Sequence, residues 1–124
     1  MNTVRAIAAA FYVAIAASCA SAPPSVVTIA APSKSRADLF GAAQRAVASL
    51  GYEVKSTNEA AGLITAFRPM TGMFAKPGYG HNITIEVDAG GVKVTAFPMQ
   101  GVAGGESPEK IRKQVEDAIR KVLN

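Results

Sequence analysis

The sequence holds one cysteine, Cys19, and one histidine, His81, among 124 residues. A lone cysteine has no partner for an internal disulfide, and no set of thiolates is present to hold a metal. A lone histidine needs an orienting acid and a nucleophile before it can act as a general base, and no partner motif is visible around it. No spacing of acids resembles a calcium loop or a metalloenzyme helix, and Gly72, Gly78 and Gly80 do not form a phosphate loop between strand and helix. A long apolar run is missing too. Ala6 to Ala17 offers about a dozen residues, roughly 18 Å of helix against a ~30 Å hydrocarbon core. Basic residues outnumber acidic ones, 13 to 9, yet no basic run is longer than Arg112-Lys113 or Arg120-Lys121. These absences point away from an enzyme, a metal centre, a bound cofactor and a membrane-spanning helix.

What is present begins at the N-terminus. Met1 to Arg5 carries one positive charge, Ala6 to Ala17 is apolar or small, and Ser18 to Ala22 has small side chains around Cys19. That order is the signature of a secretory signal. Two cleavage readings follow. Ala20-Ser21-Ala22 suits ordinary signal peptidase, which would discard the cysteine. Ala16-Ala17-Ser18-Cys19 resembles the bacterial lipobox, departing from it at Ala16, where leucine is commonest. The resemblance implies a signal over 1–18, lipidation of Cys19, and a tether over 19–24 that includes Pro23-Pro24. With Ala20, not Asp, after the cysteine, it also implies an outer-membrane anchor facing the periplasm; without the lipid the chain is secreted to the periplasm. The mature side-chain charge is 12 − 9 = +3. In an exported chain this favours mild attraction to anionic lipid over nucleic acid.

The rest, 25–124, reads as a single α+β domain. Ser25 to Ala30 is rich in β-branched residues and predicts a strand ended by Pro32. Ser35-Arg36-Ala37-Asp38 has capping-box form, and Leu39, Ala43, Ala46, Val47 and Leu50 make one helical stripe, stopped by Gly51. Tyr52 to Ser56 alternates, Thr57 to Gly62 predicts a turn, and Leu63 to Arg68 a strand closed by Pro69. His81 to Asp88 alternates cleanly, with His81 sharing the inward parity of Ile83, Ile85 and Val87. A turn at Ala89-Gly90-Gly91 hands on to Val92, Val94 and Ala96, which predicts a hairpin. After a glycine-rich stretch over 100–106, Ser107-Pro108-Glu109 opens a second helix with Ile111, Val115, Ala118, Ile119 and Val122 on its buried side. Glu109/Lys113, Glu116/Arg120 and Asp117/Lys121 are spaced as solvent-facing pairs. The order β-α-β-β-β-β-α predicts two layers, an antiparallel meander sheet with two helices on one face.

The passage Leu50-Gly51-Tyr52-Glu53-Val54, then Ala61-Gly62-Leu63-Ile64-Thr65-Ala66, resembles the repeated unit of small envelope lipoprotein domains such as those of BamC. The resemblance spans 42–67, reflects a helix handing off to a hairpin, and transfers no functional residue.

One segment breaks the local rules. Thirteen residues from Arg68 to Gly80 join two predicted strands, where hairpin loops usually take 2–5. Met70, Met73, Phe74 and Tyr79 stand there beside Arg68 and Lys76, a mixture suited to a partner surface or a membrane-interface contact. The competing reading folds the methionines and Phe74 back into the core, or extends the strands into a ribbon. The function expected is a non-catalytic, periplasm-facing lipoprotein that contacts another envelope protein through this loop or the open sheet face. The alternative is a small-molecule or lipid-binding module using a groove between sheet and helices.

Overall fold

A computed structural model describes residues 23–73, 75, 78–99 and 106–124. The expected signal segment, Cys19, Phe74, Lys76 and most of the glycine-rich stretch lie outside the described residues. Strand β1 (Ser25–Ala30) leads to helix α1 (Arg36–Ser49), then β2 (Glu53–Asn58), β3 (Leu63–Pro69), β4 (Gly80–Asp88), β5 (Gly91–Ala96) and helix α2 (Pro108–Leu123). The sheet order is β1-β5-β4-β3-β2 and every neighbouring pair is antiparallel. Strands β2 to β5 form the meander, and β1 closes its far edge.

Placing β1 and β2 on opposite edges requires a connection across four strand spacings, about 19 Å. Helix α1, with 14 residues and therefore about 21 Å long, makes that crossing over one face. Its ends are fixed locally. The Ser35 hydroxyl accepts from the Asp38 amide at 3.1 Å, and Gly51 takes φ 84° just past the last turn. Helix α2 begins the same way, with Ser107 accepting from the Lys110 amide at 3.2 Å and Pro108 in the first turn. The two helices pack against each other and against the sheet.

Alternation decides what lies between the layers. Ile64 and Ala66, Ile83, Ile85 and Val87, and Val92, Val94 and Ala96 are all buried. They meet Leu39, Ala43, Ala46 and Val47 from α1 and Ile111, Val115 and Ile119 from α2 in one core. Phe40 and Ala42 are buried as well, which widens the α1 stripe beyond its expected positions. Of the expected helix pairs, Glu116 and Arg120 meet at 3.0 Å. Glu116 also holds Arg112 at 2.6 Å, and Arg112 reaches the Ser25 hydroxyl on β1, pinning α2 to that edge.

One expected boundary shifts. Strand β2 continues to Asn58, because a bulge between Val54 and Ser56 resets the alternation at Lys55. All six β2 residues are exposed. The open face of the sheet carries a cross-strand row of Val26, Thr95, Thr84, Thr65 and Ser56. Among the described residues no helix is long and apolar enough to cross a membrane.

Candidate functional site

The strand register and the contacts of Arg68 bring six parts of the chain to one end of the sheet. Ser25 lies opposite Ala96, which lies opposite Ile83, which lies opposite Ala66. Just beyond that row Arg68 faces His81 and Pro69 faces Gly80. The entrance to β1, the end of α1, the ends of β3 and β5, the start of β4 and the start of α2 therefore share this end.

The segment from Arg68 to Gly80 is split by the structure. Its first and last residues belong to the strands, and the Met70 amide donates to the Tyr79 carbonyl at 2.9 Å, so the pairing runs on as a ribbon. Gly80 makes the close approach possible, since a Cβ there would strike the Arg68 carbonyl and the Phe67 ring. Further out, Met73 is 92% exposed and Tyr79 is also exposed, while Met70 is half-buried at the ribbon's base.

Arg68 does not accompany Met73 to the tip. It has the inward parity of Ile64 and Ala66, and its guanidinium lies over the Tyr52 ring, 4.9 Å from the centroid. It donates to the Leu50 carbonyl, Glu106 Oε2 and Gln114 Oε1, each at 3.4 Å. These are long beside the ~2.8 Å of a strong charge-assisted bond. Opposite Arg68 sits His81, 7% exposed, with its Nδ1 sealed from solvent and unpartnered among the described residues. The Tyr52 hydroxyl is sealed and unpartnered in the same way. Burial raises the Tyr52 phenol above its usual range, against the opposing charge of Arg68. Burial first, and Arg68 second, lower the His81 imidazole below its usual value, with Glu106 opposing.

Arg68, His81 and Glu106 border an open cleft of about 410 Å³ between the end of the sheet and the start of α2. Met70 and Met99 also line it. The interior between sheet and helices is filled by side chains, so openings occur at its margins. A second, mainly apolar groove of about 660 Å³ runs between the helices beside Leu50, Ala118 and Val122. Of the residues expected to make contact, the structure gathers Arg68 and Met70 at the cleft and separates Met73 and Tyr79 from them. His81, Met99 and Glu106 join the cleft without having been expected there, and Tyr52 and Gln114 hold Arg68 in place beside it. Parity could have placed Arg68 and His81 together; nothing local connects them to Glu106, 38 residues away along the chain.

The lowered His81 value has a consequence for stability. An imidazole that folds in its neutral form loses stability when pH falls, because the unfolded chain takes up the proton first. Unfolding free energy is expected to decline as pH drops below about 6.5, down to the folded-state value. Urea midpoints measured between about pH 7.5 and 5.5 check this. His81→Phe is expected to flatten the slope, and an unchanged slope would assign it to other groups.

Two layers of this order define an α+β sandwich of one antiparallel sheet and a helical pair. No family model matches the chain, and no curated protein sequence matches it. Among solved structures it is similar to a TBP-like protein from Parabacteroides distasonis, with TM-score 0.52 and 12% identity over 78% of this chain and 92% of that one. It is also similar to a DUF4468 family protein from Bacteroides ovatus, with TM-score 0.46 and 12% identity over 81% of each chain. At such identity the first likeness bears on the fold alone, and it agrees with the strand and helix order found here.

Proposed function

We propose that this chain is a non-catalytic, lipid-anchored module of the bacterial envelope that works by contact with another envelope protein. The observation that carries the reading is the shared end of the sheet. Chain entering β1 arrives where the β3–β4 ribbon departs. With Cys19 lipidated, the six residues over 19–24 reach at most about 20 Å, which holds the ribbon close to the membrane surface. Two or three acyl chains give durable anchoring, at ~0.8 kcal/mol per buried CH₂. The outer membrane, periplasmic side, is the location we assign.

Met73 is the contact residue under this reading. A thioether that is 92% exposed contributes almost nothing to the fold and is free to pack against a partner. Met73→Asp is therefore expected to leave thermal unfolding within about 0.5 kcal/mol of the parent. It is expected to abolish recovery of the partner in cross-linking from native membranes. Loss of folding in Met73→Asp would show instead that the ribbon tip completes the core.

The 410 Å³ cleft at the margin of the sheet–helix interface favours a second reading, in which the same domain binds a small molecule.

A further inference from the structure

Arg68 and Glu106 give the cleft one charge of each sign, and neither is tightly spent on the other. Their ion pair is 3.4 Å long. Arg68 has five N–H donors, three of which make the long contacts already described. Its position is set as much by stacking on Tyr52 as by those bonds. His81 adds a donor. Nδ1 is the sealed atom and the residue lines the cleft, which leaves Nε2 as the nitrogen able to serve a ligand there. A buried N–H without an acceptor is rarer than a bare lone pair, which puts the proton of the neutral ring on Nε2. Two groups able to donate to a carboxylate thus stand beside one carboxylate able to receive a cation.

Charge balance chooses the ligand. A simple anion that takes Arg68 leaves Glu106 Oε2 without its partner, while Oε1 keeps only the exposed Lys110 ammonium at 3.7 Å; a simple cation that takes Glu106 leaves Arg68 without its carboxylate. A molecule bearing both charges leaves neither. Met70 and Met99 supply adaptable apolar walls for whatever else it carries. The cleft volume falls within the range of small-ligand sites.

We propose that the cleft bounded by Arg68, His81 and Glu106 binds a small zwitterion of the amino-acid type, its carboxylate on Arg68 and His81 and its ammonium on Glu106. This rests on the small-molecule reading and is independent of the ribbon contact. A free amino acid and a short peptide both present this chemistry, and they differ in the distance between the two charges.

The single histidine makes the test direct. The His81 Hε1 proton gives one imidazole resonance, followed by NMR during titration of the folded protein with alanine, alanyl-alanine, acetate and methylammonium. Alanine or alanyl-alanine is expected to shift it saturably at millimolar concentration, the tighter of the two naming the source. Acetate and methylammonium are each expected to bind at least about tenfold more weakly. Arg68→Lys, which keeps the charge but not the planar fork, is expected to lose at least about tenfold in affinity with its circular dichroism unchanged. Glu106→Gln is expected to erase the preference for the zwitterion over acetate. Met73→Asp is expected to leave the titration as it was, which separates this site from the ribbon. No saturable shift with either zwitterion, or acetate binding as tightly as alanine, would overturn the proposal.

Discussion

Ile85→Ala is expected to cost about 4 kcal/mol of stability, the largest loss of any single truncation in this domain. Ile85 sits at the middle of β4, the central strand in the five-strand order, and is fully buried. Its neighbours across the sheet are Ile64 on β3 and Val94 on β5, both fully buried as well. Hydrogen bonding on both sides prevents the strand from moving in to fill the space, so most of the cavity persists. A domain of this size has roughly one to four times that loss in total stability, about 5–15 kcal/mol. The melting temperature should fall by roughly 15–30 °C. Thr84→Ala, on the same strand but turned to the open face, is expected to change stability by less than about 1 kcal/mol. Equal losses from the two would contradict the assignment of faces.

Gly62→Ala is expected to be the next most damaging change, at about 3 kcal/mol or more. Gly62 adopts φ 70°, and a Cβ on it would collide with the Val87 carbonyl. The Val87 amide donates to the Gly62 carbonyl at 2.6 Å, so the two backbones are locked together and cannot separate without losing that bond. The β2–β3 turn would have to lift away from the end of β4. Gly51 gives the comparison. Its φ is also positive, at 84°, but a Cβ there meets nothing nearer than the Arg68 side chain at 4.0 Å. Gly51→Ala is expected to cost only the conformational part, about 1 kcal/mol. Urea unfolding of both variants separates sterics from conformation, and similar losses would remove the steric argument.

The pattern of what the sequence revealed follows the range of the forces involved. The caps at Ser35 and Ser107 and the stop at Gly51 depend on neighbours within one helical turn, and all three were legible. The inward set Ile83, Ile85 and Val87, and its partner Val92, Val94 and Ala96, was legible because nothing interrupts the alternation. The end of β2 was not, since the bulge at Lys55 places two residues against one and breaks the period just where the strand continues. From sequence alone Arg68 reads as a cation of the loop, because the loop is what breaks the rules there. Its parity with Ile64 and Ala66 already turned it inward, onto Tyr52. Glu106 lies in a glycine-rich stretch whose composition says only that a connection is present. Its meeting with Arg68 depends on where β3 ends and α2 begins, a matter of three-dimensional packing alone. The cleft is assembled almost wholly from such distant pairs, and the unusual length of the 68–80 connection left open whether Met73 is packed or, as found, exposed.

We propose that the ribbon end of this domain meets an envelope protein at the membrane. The most direct measurement places a photo-cross-linking residue at position 73 of the full chain in intact cells, with a second at position 121 on the exposed face of α2 as comparison. One dominant protein adduct is expected from position 73 in the membrane fraction, absent from position 121. Adducts to lipid alone, or the same faint adducts from both positions, would contradict it.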